Sequence, residues 1–182
     1  ADSSSLPDNN VISLCSAGPS GMIAGMKSGS IARYDFITNR FYTLAFPETL
    51  RPALEFAEPD FLLTDETGRL WIATTNGLFV TDLHTGEAWH FNQENSGLQS
   101  RYIKHLLIDS QKQLWLATDA GIARVENHLE PAKAVIVSYP AEGFPSNYLK
   151  RLIEDKQGRL WAGADGGFCQ VDKKEGKPLQ TF

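Results

Sequence analysis

Apolar residues along this chain fall in short runs separated by turn formers, and no stretch of ten or more residues carries a convincing helical period. Phe61 to Thr64 reads as a strand, Asp65 to Gly68 as a turn with Gly free to take positive φ, and Leu70 to Thr74 as a second strand. Thr75-Asn76-Gly77 is a hairpin signal, Leu78 to Asp82 a third strand, His84-Thr85-Gly86 another turn, and Ala88 to Phe91 a fourth strand. The same order returns downstream, with Ile103 to Ile108 and Tyr148 to Glu154 as opening strands and Gly121 to Val125 and Gly167 to Val171 as third strands. Only Glu48 to Glu58 leaves room for a short helical turn.

The pattern recurs because the sequence recurs. Asp65-Glu66-Thr67-Gly68-Arg69-Leu70-Trp71-Ile72-Ala73-Thr74 superposes on Asp109 to Thr118 and on Asp155 to Ala164. The tryptophans Trp71, Trp115 and Trp161 stand 44 and 46 residues apart, and six residues beyond each comes Gly77, Gly121 or Gly167. A weaker copy, Gly21 to Gly29, carries Ile23 in the Trp position and Gly29 in the Gly position. One departure is Lys112, which stands where the neighbouring copies have Gly68 and Gly158 and predicts an altered turn.

Four antiparallel strands per repeat of about 46 residues predict an all-β chain: a β-propeller or partial propeller, four blades of four strands each. The blades fall near residues 9–46, 60–92, 102–140 and 147–182 of a single array over 1–182. Such a sheet cannot cover both faces alone and must stack on its neighbours. The recurring Trp side chains are therefore expected between blades, and the Asp side chains in their turns. Trp89, with His90 and Phe91, lies outside the Trp position. It reads as packing on an outer strand, with an interface to another chain as the alternative.

Composition narrows the class. Of 182 residues 42% are hydrophobic and 21% charged, the balance of an ordered globular chain, and the net charge of -5 offers no basic face for nucleic acid. No apolar run approaches the ~20 residues of a membrane-spanning helix. The absence of a signal peptide leaves a mature form, a domain of something larger, or a cytosolic protein. Cys15 and Cys169 form no Cys-x-x-Cys pair and the four histidines no metal spacing, so buried thiols and no metal or cofactor are expected. A Cys15–Cys169 disulfide is the minor alternative.

The pattern Asp-x-x-Gly-x-Leu-Trp-[Ile/Leu]-[Gly/Ala]-Thr-x-x-Gly-[Leu/Ile] closely resembles the two-component regulator propeller repeat. Ser5-Leu6-Pro7-Asp8-Asn9, Gly97-Leu98-Gln99-Ser100-Arg101 and Gly143-Phe144-Pro145-Ser146-Asn147 resemble the Gly-Leu-Pro-Ser-Asn that often precedes repeats of that family. The resemblance implies the extracytoplasmic, periplasmic sensor part of a hybrid histidine kinase or a diguanylate cyclase receptor. It also implies saccharides as frequent ligands and signalling domains elsewhere in the same receptor. Receptors of this kind usually carry more than four repeats, so the chain is expected to be a slice of a longer array rather than a closed four-bladed ring. Its open blade edges would invite homodimerisation.

In a propeller the loops leading into the first strands and the turns between second and third strands open on one face. The residues expected to bind ligand there are Lys27, Arg51, Asn76, Arg101, Tyr102, Asp119, Asn147, Tyr148 and Asp165. The same types also serve turns for purely structural reasons. No catalytic residue is assigned, since the repeated carboxylates obey the repeat and no Gly-x-Ser-x-Gly motif is present. A protein-interaction scaffold is the alternative function, and a propeller lyase or hydrolase the third.

Overall fold

Each repeat forms one four-stranded antiparallel sheet in the computed structural model, which describes residues 5–182; residues 1–4 of the expected array lie outside the described residues. The first sheet comprises β1 (Val11–Ser16), β2 (Gly21–Met26), β3 (Ile31–Asp35) and β4 (Arg40–Thr43). A single helical turn, α1 (Arg51–Leu54), precedes the second sheet, β5 (Phe61–Thr64), β6 (Arg69–Thr74), β7 (Gly77–Asp82) and β8 (Ala88–Phe91). The third holds β9 (Ile103–Ile108), β10 (Leu114–Thr118), β11 (Gly121–Glu126) and β12 (Val135–Pro140). The fourth holds β13 (Leu149–Glu154), β14 (Leu160–Ala164), β15 (Gly167–Val171) and β16 (Pro178–Thr181). Strands neighbour one another in chain order in every sheet, so each is a simple meander.

Two local features depart from the sequence reading. Lys112 adopts φ +61, the left-handed conformation that Gly68 (φ +83) and Gly158 (φ +76) hold in the sister turns, so the turn is kept rather than altered. A 3-10 turn at Pro131–Lys133, between β11 and β12, had no counterpart among the expected elements. Pro131 at its first position has φ already set for such a turn.

The chain divides between His90 and Phe91 into two compact units, each built from two sheets. In the first unit Ile23, Ile31, Phe46, Leu54, Leu62, Leu70, Ile72 and Phe79 form the core. Its opening strands β1 and β5 are tied by Thr64 Oγ1 donating to the Ser16 carbonyl (2.8 Å), and Ser13 Oγ donates to the Pro59 carbonyl just before β5 (2.6 Å). In the second unit Trp115, Ala117 and Ile122 of the third sheet pack on Leu149, Leu152, Leu160, Ala162 and Cys169 of the fourth. There the Leu152 N–H of β13 donates to His105 Nδ1 of β9 (3.3 Å). Opening strand beside opening strand is the arrangement that stacks propeller blades around an axis.

Trp115 therefore sits between sheets, as expected, and Trp71 is fully buried. Of the outer-strand aromatics, His90 is held by packing: its ring stacks on Phe79 at 4.0 Å, and its Nε2 lies 2.7 Å from the Asn76 carbonyl, while Trp89 and Phe91 are half-buried. Cys15 and Cys169 are both free thiols, pushed up to about 11 by burial.

Candidate functional site

The repeated carboxylates are committed to the scaffold. Asp65, Asp109 and Asp155 each accept two turn N–H groups on Oδ1, from residues two and four further on, at 2.9–3.1 Å. Each Oδ2 accepts the indole N–H of the tryptophan six residues on, at 2.8 Å for Trp71, 2.9 Å for Trp115 and 2.8 Å for Trp161. The spacing shared by the repeats thus encodes a side-chain bond as well as a turn. Burial opposes ionisation of Asp109, yet the Gln113 N–H, the Trp115 indole and the Lys173 ammonium hold its carboxyl below the usual range. Lys173 comes from the β15–β16 turn and bridges Asp109 (3.0 Å) and Glu154 (2.5 Å), locking the third sheet to the fourth. In the first repeat Ala17 and Ile23 occupy the Asp and Trp positions. Leu83, which matches Lys173 in its turn, packs with Ala17 on that unit's core. A polar joint and an apolar joint are two solutions to the same contact.

The residues expected to bind ligand are distributed over both units. In the second, Arg101 and Tyr102 lie ahead of β9, Asp119 on the β10–β11 turn, Asn147 and Tyr148 ahead of β13, and Asp165 on the β14–β15 turn, all at one end of the strands. The Arg101 guanidinium lies 4.9 Å from the Tyr102 ring centre and donates to its hydroxyl at 2.7 Å. Asp119 accepts the Ser100 hydroxyl, and Asp165 pairs with Lys150. Tyr148 is 59% exposed and Asn147 is exposed beside it. In the first unit, Lys27 faces Glu58 at 3.8 Å and Asn76 Nδ2 donates to the Ala53 carbonyl at 2.9 Å, fastening α1. Arg51 donates from Nε to the Phe46 carbonyl at 3.3 Å.

Arg51 also borders a cleft of about 450 Å³, with Ser30, Thr43 and Glu55 on its walls and Ile31, Phe46 and Leu54 beneath. Glu55 and Phe46 escaped the sequence reading. Their signal was the link before the second sheet, which is longer than its counterparts. In the second unit, the fourth sheet presents a shallow apolar groove of about 300 Å³ lined by Arg151, Ile153, Asp155, Trp161 and Phe168. Phe168 and Phe182 stack there at 5.1 Å. Among the described residues no cluster of His, Cys, Asp and Glu is poised for a metal, and no helix is long and apolar enough to cross a membrane.

Residues 143–166 match the family model described as two component regulator propeller. No curated protein matches the sequence. Among solved structures, the extracellular domain of the hybrid two component system BT3049 of B. thetaiotaomicron is similar over 97% of this chain and 25% of its own, with a TM-score of 0.76 and 20% identity. That of BT4673 from the same organism aligns over 98% and 23%, with 0.70 and 21%. PorZ of Porphyromonas gingivalis, a surface component of the type-IX secretion system, aligns over 98% and 28%, with 0.74 and 15%. At these identities the likeness establishes the propeller fold, and this chain spans about a quarter of each of these proteins' length.

Proposed function

From the match of residues 143–166 to the two-component regulator propeller model, we propose that the chain is a ligand-sensing segment of a bacterial receptor's extracytoplasmic propeller. The receptor works from the periplasm and passes its signal to kinase or cyclase domains elsewhere in the polypeptide. The observation that carries this reading is the loop end of the second unit. The repeated carboxylates are held by turns and indoles, whereas Arg101, Asn147 and Tyr148 are exposed at the strand ends, with Tyr102 half-buried beside Arg101 and accepting its hydrogen bond. Tyrosine rings give a sugar a face to stack on, and Arg and Asn supply donors to its hydroxyls. This supports a saccharide ligand, and binding rather than catalysis.

Calorimetric unfolding of the chain with a panel of mono- and oligosaccharides is the direct test. At least one sugar should raise Tm, and Arg101→Ala or Tyr148→Ala should abolish that rise without lowering the Tm of the sugar-free protein. If no sugar shifts wild type, the saccharide reading fails.

A scaffold role has one observation in its favour. Ile153, Trp161 and Phe168 present on the fourth sheet the face that Leu107 and Trp115 present on the third, and the third sheet's copy is covered by a following sheet. Exposed on the fourth sheet, that face suits the apolar surface of a partner protein.

A further inference from the structure

We propose that the cleft of the first unit binds a small α-amino acid with an apolar side chain, its carboxylate on Arg51, its ammonium on Glu55 and its side chain over Ile31, Phe46 and Leu54. This site is separate from the loop end of the second unit and stands whether or not sugars bind there.

The volume of about 450 Å³ lies within the range of small-molecule sites. The floor is apolar and firm: Ile31, Phe46 and Leu54 are 1%, 7% and 6% exposed and belong to the core. The charged rim is unusual. Arg51 and Glu55, both exposed, are four apart on α1 and its C-cap, a spacing at which such side chains are neighbours. Among the described residues they form no ion pair with each other. The Arg51 Nε bond to Phe46 instead orients the guanidinium and leaves both terminal nitrogens without an acceptor among the described residues. The Glu55 carboxylate likewise accepts no hydrogen bond from the described residues. Opposite charges thus remain apart on the rim of one cleft.

The carrier of that rim is held in place. Asn76 Nδ2 bonds the Ala53 carbonyl of α1, and Gly29 approaches so closely that a Cβ there would sit 2.3 Å from the Leu54 carbonyl oxygen. The planar Arg fork matches a carboxylate bidentately. Glu55 beside it repels dianions such as phosphate or sulfate, and it offers an ammonium group an acceptor. The floor suits an aliphatic or aromatic side chain and is too apolar for a polyol. A zwitterion with an apolar side chain satisfies all three demands.

Isothermal calorimetry on the 182-residue chain tests this with L-leucine and L-phenylalanine. The comparators are 4-methylpentanoate, which lacks the amine, and 3-methylbutylamine, which lacks the carboxylate. At least one amino acid should bind, with each comparator at least about 10-fold weaker. Arg51→Met and Glu55→Gln should each weaken binding by about 10-fold or more, while Lys156→Met on the other unit leaves it unchanged. Absence of heat from either amino acid at about 10 mM overturns the proposal. So does 4-methylpentanoate binding as tightly as leucine with Glu55→Gln silent, which would make the site one for simple monocarboxylates. Should Arg51→Met fail to fold, the comparators and Glu55→Gln decide alone. Sugar binding that responds to Arg101 or Tyr148 is read separately, so either site can fail without the other.

Discussion

Asp109 accepts four hydrogen bonds and ion-pair contacts on two oxygens, from two turn amides, the Trp115 indole and Lys173. Asn at this position would turn an NH2 group toward the indole and the ammonium, leaving donors facing donors. Asp109→Asn should destabilise the second unit by about 2–4 kcal/mol in urea unfolding, more than Asp155→Asn at the half-buried sister position. An equal loss at both sites would deny Lys173 its role. A second residue-scale effect is pH dependence. Burial and then the nearby Arg151 guanidinium push His105 down to about 4 from 6.5. Its imidazole takes up a proton more readily in the unfolded chain, so stability is full above about pH 6.5 and is lost as pH falls toward 4. Between pH 7 and 5 the second unit should lose about 1–2 kcal/mol, and His105→Gln should flatten that slope in unfolding curves taken at both pH values. The turn role of the Asp side chains was legible in their type and position. The indole bond was not, because nothing in a linear spacing of six says that a hairpin folds the ring back over the carboxylate.

At the scale of elements, hydrophobic alternation and Asn-Gly or Asp-x-x-Gly turns locate the strands within a residue or two, because each hairpin is closed by local backbone demands. Gly121 at the start of β11 has φ +119, and a Cβ there would lie 2.2 Å from the Tyr139 carbonyl oxygen of β12. Gly86 has φ +78 with open space around it. Gly86→Ala should therefore cost only the backbone strain of about 1 kcal/mol, while Gly121→Ala should cost clearly more, as compared by thermal unfolding. Similar losses would mean that β12 moves aside freely. Lys112 marks the limit of such local reasoning. The turn holds Lys at positive φ because Asp109 accepts the flanking N–H groups of Gln111 and Gln113 and over-determines the backbone.

At the scale of the whole molecule, the exposed apolar face of the fourth sheet predicts association. Light scattering of the chain should show concentration-dependent self-association that Phe168→Ser with Ile153→Ser suppresses; a monomer at every concentration would remove the face from consideration as a docking surface. The repeat, its count and the all-β class were determined by sequence alone, since turn chemistry and strand alternation act over a few residues and are written out four times. The candidate ligand residues were legible as types at strand ends. Which of them stay available was decided by tertiary structure: Asn76 is drawn into fastening α1 and Lys27 toward Glu58, whereas Tyr148 stays open. Tertiary structure alone also set Arg51 and Glu55 apart over an apolar floor, and brought Lys173 onto Asp109 from 64 residues away. Contacts between segments that far apart depend on how sheets stack, and no local pattern of apolar and polar residues specifies that.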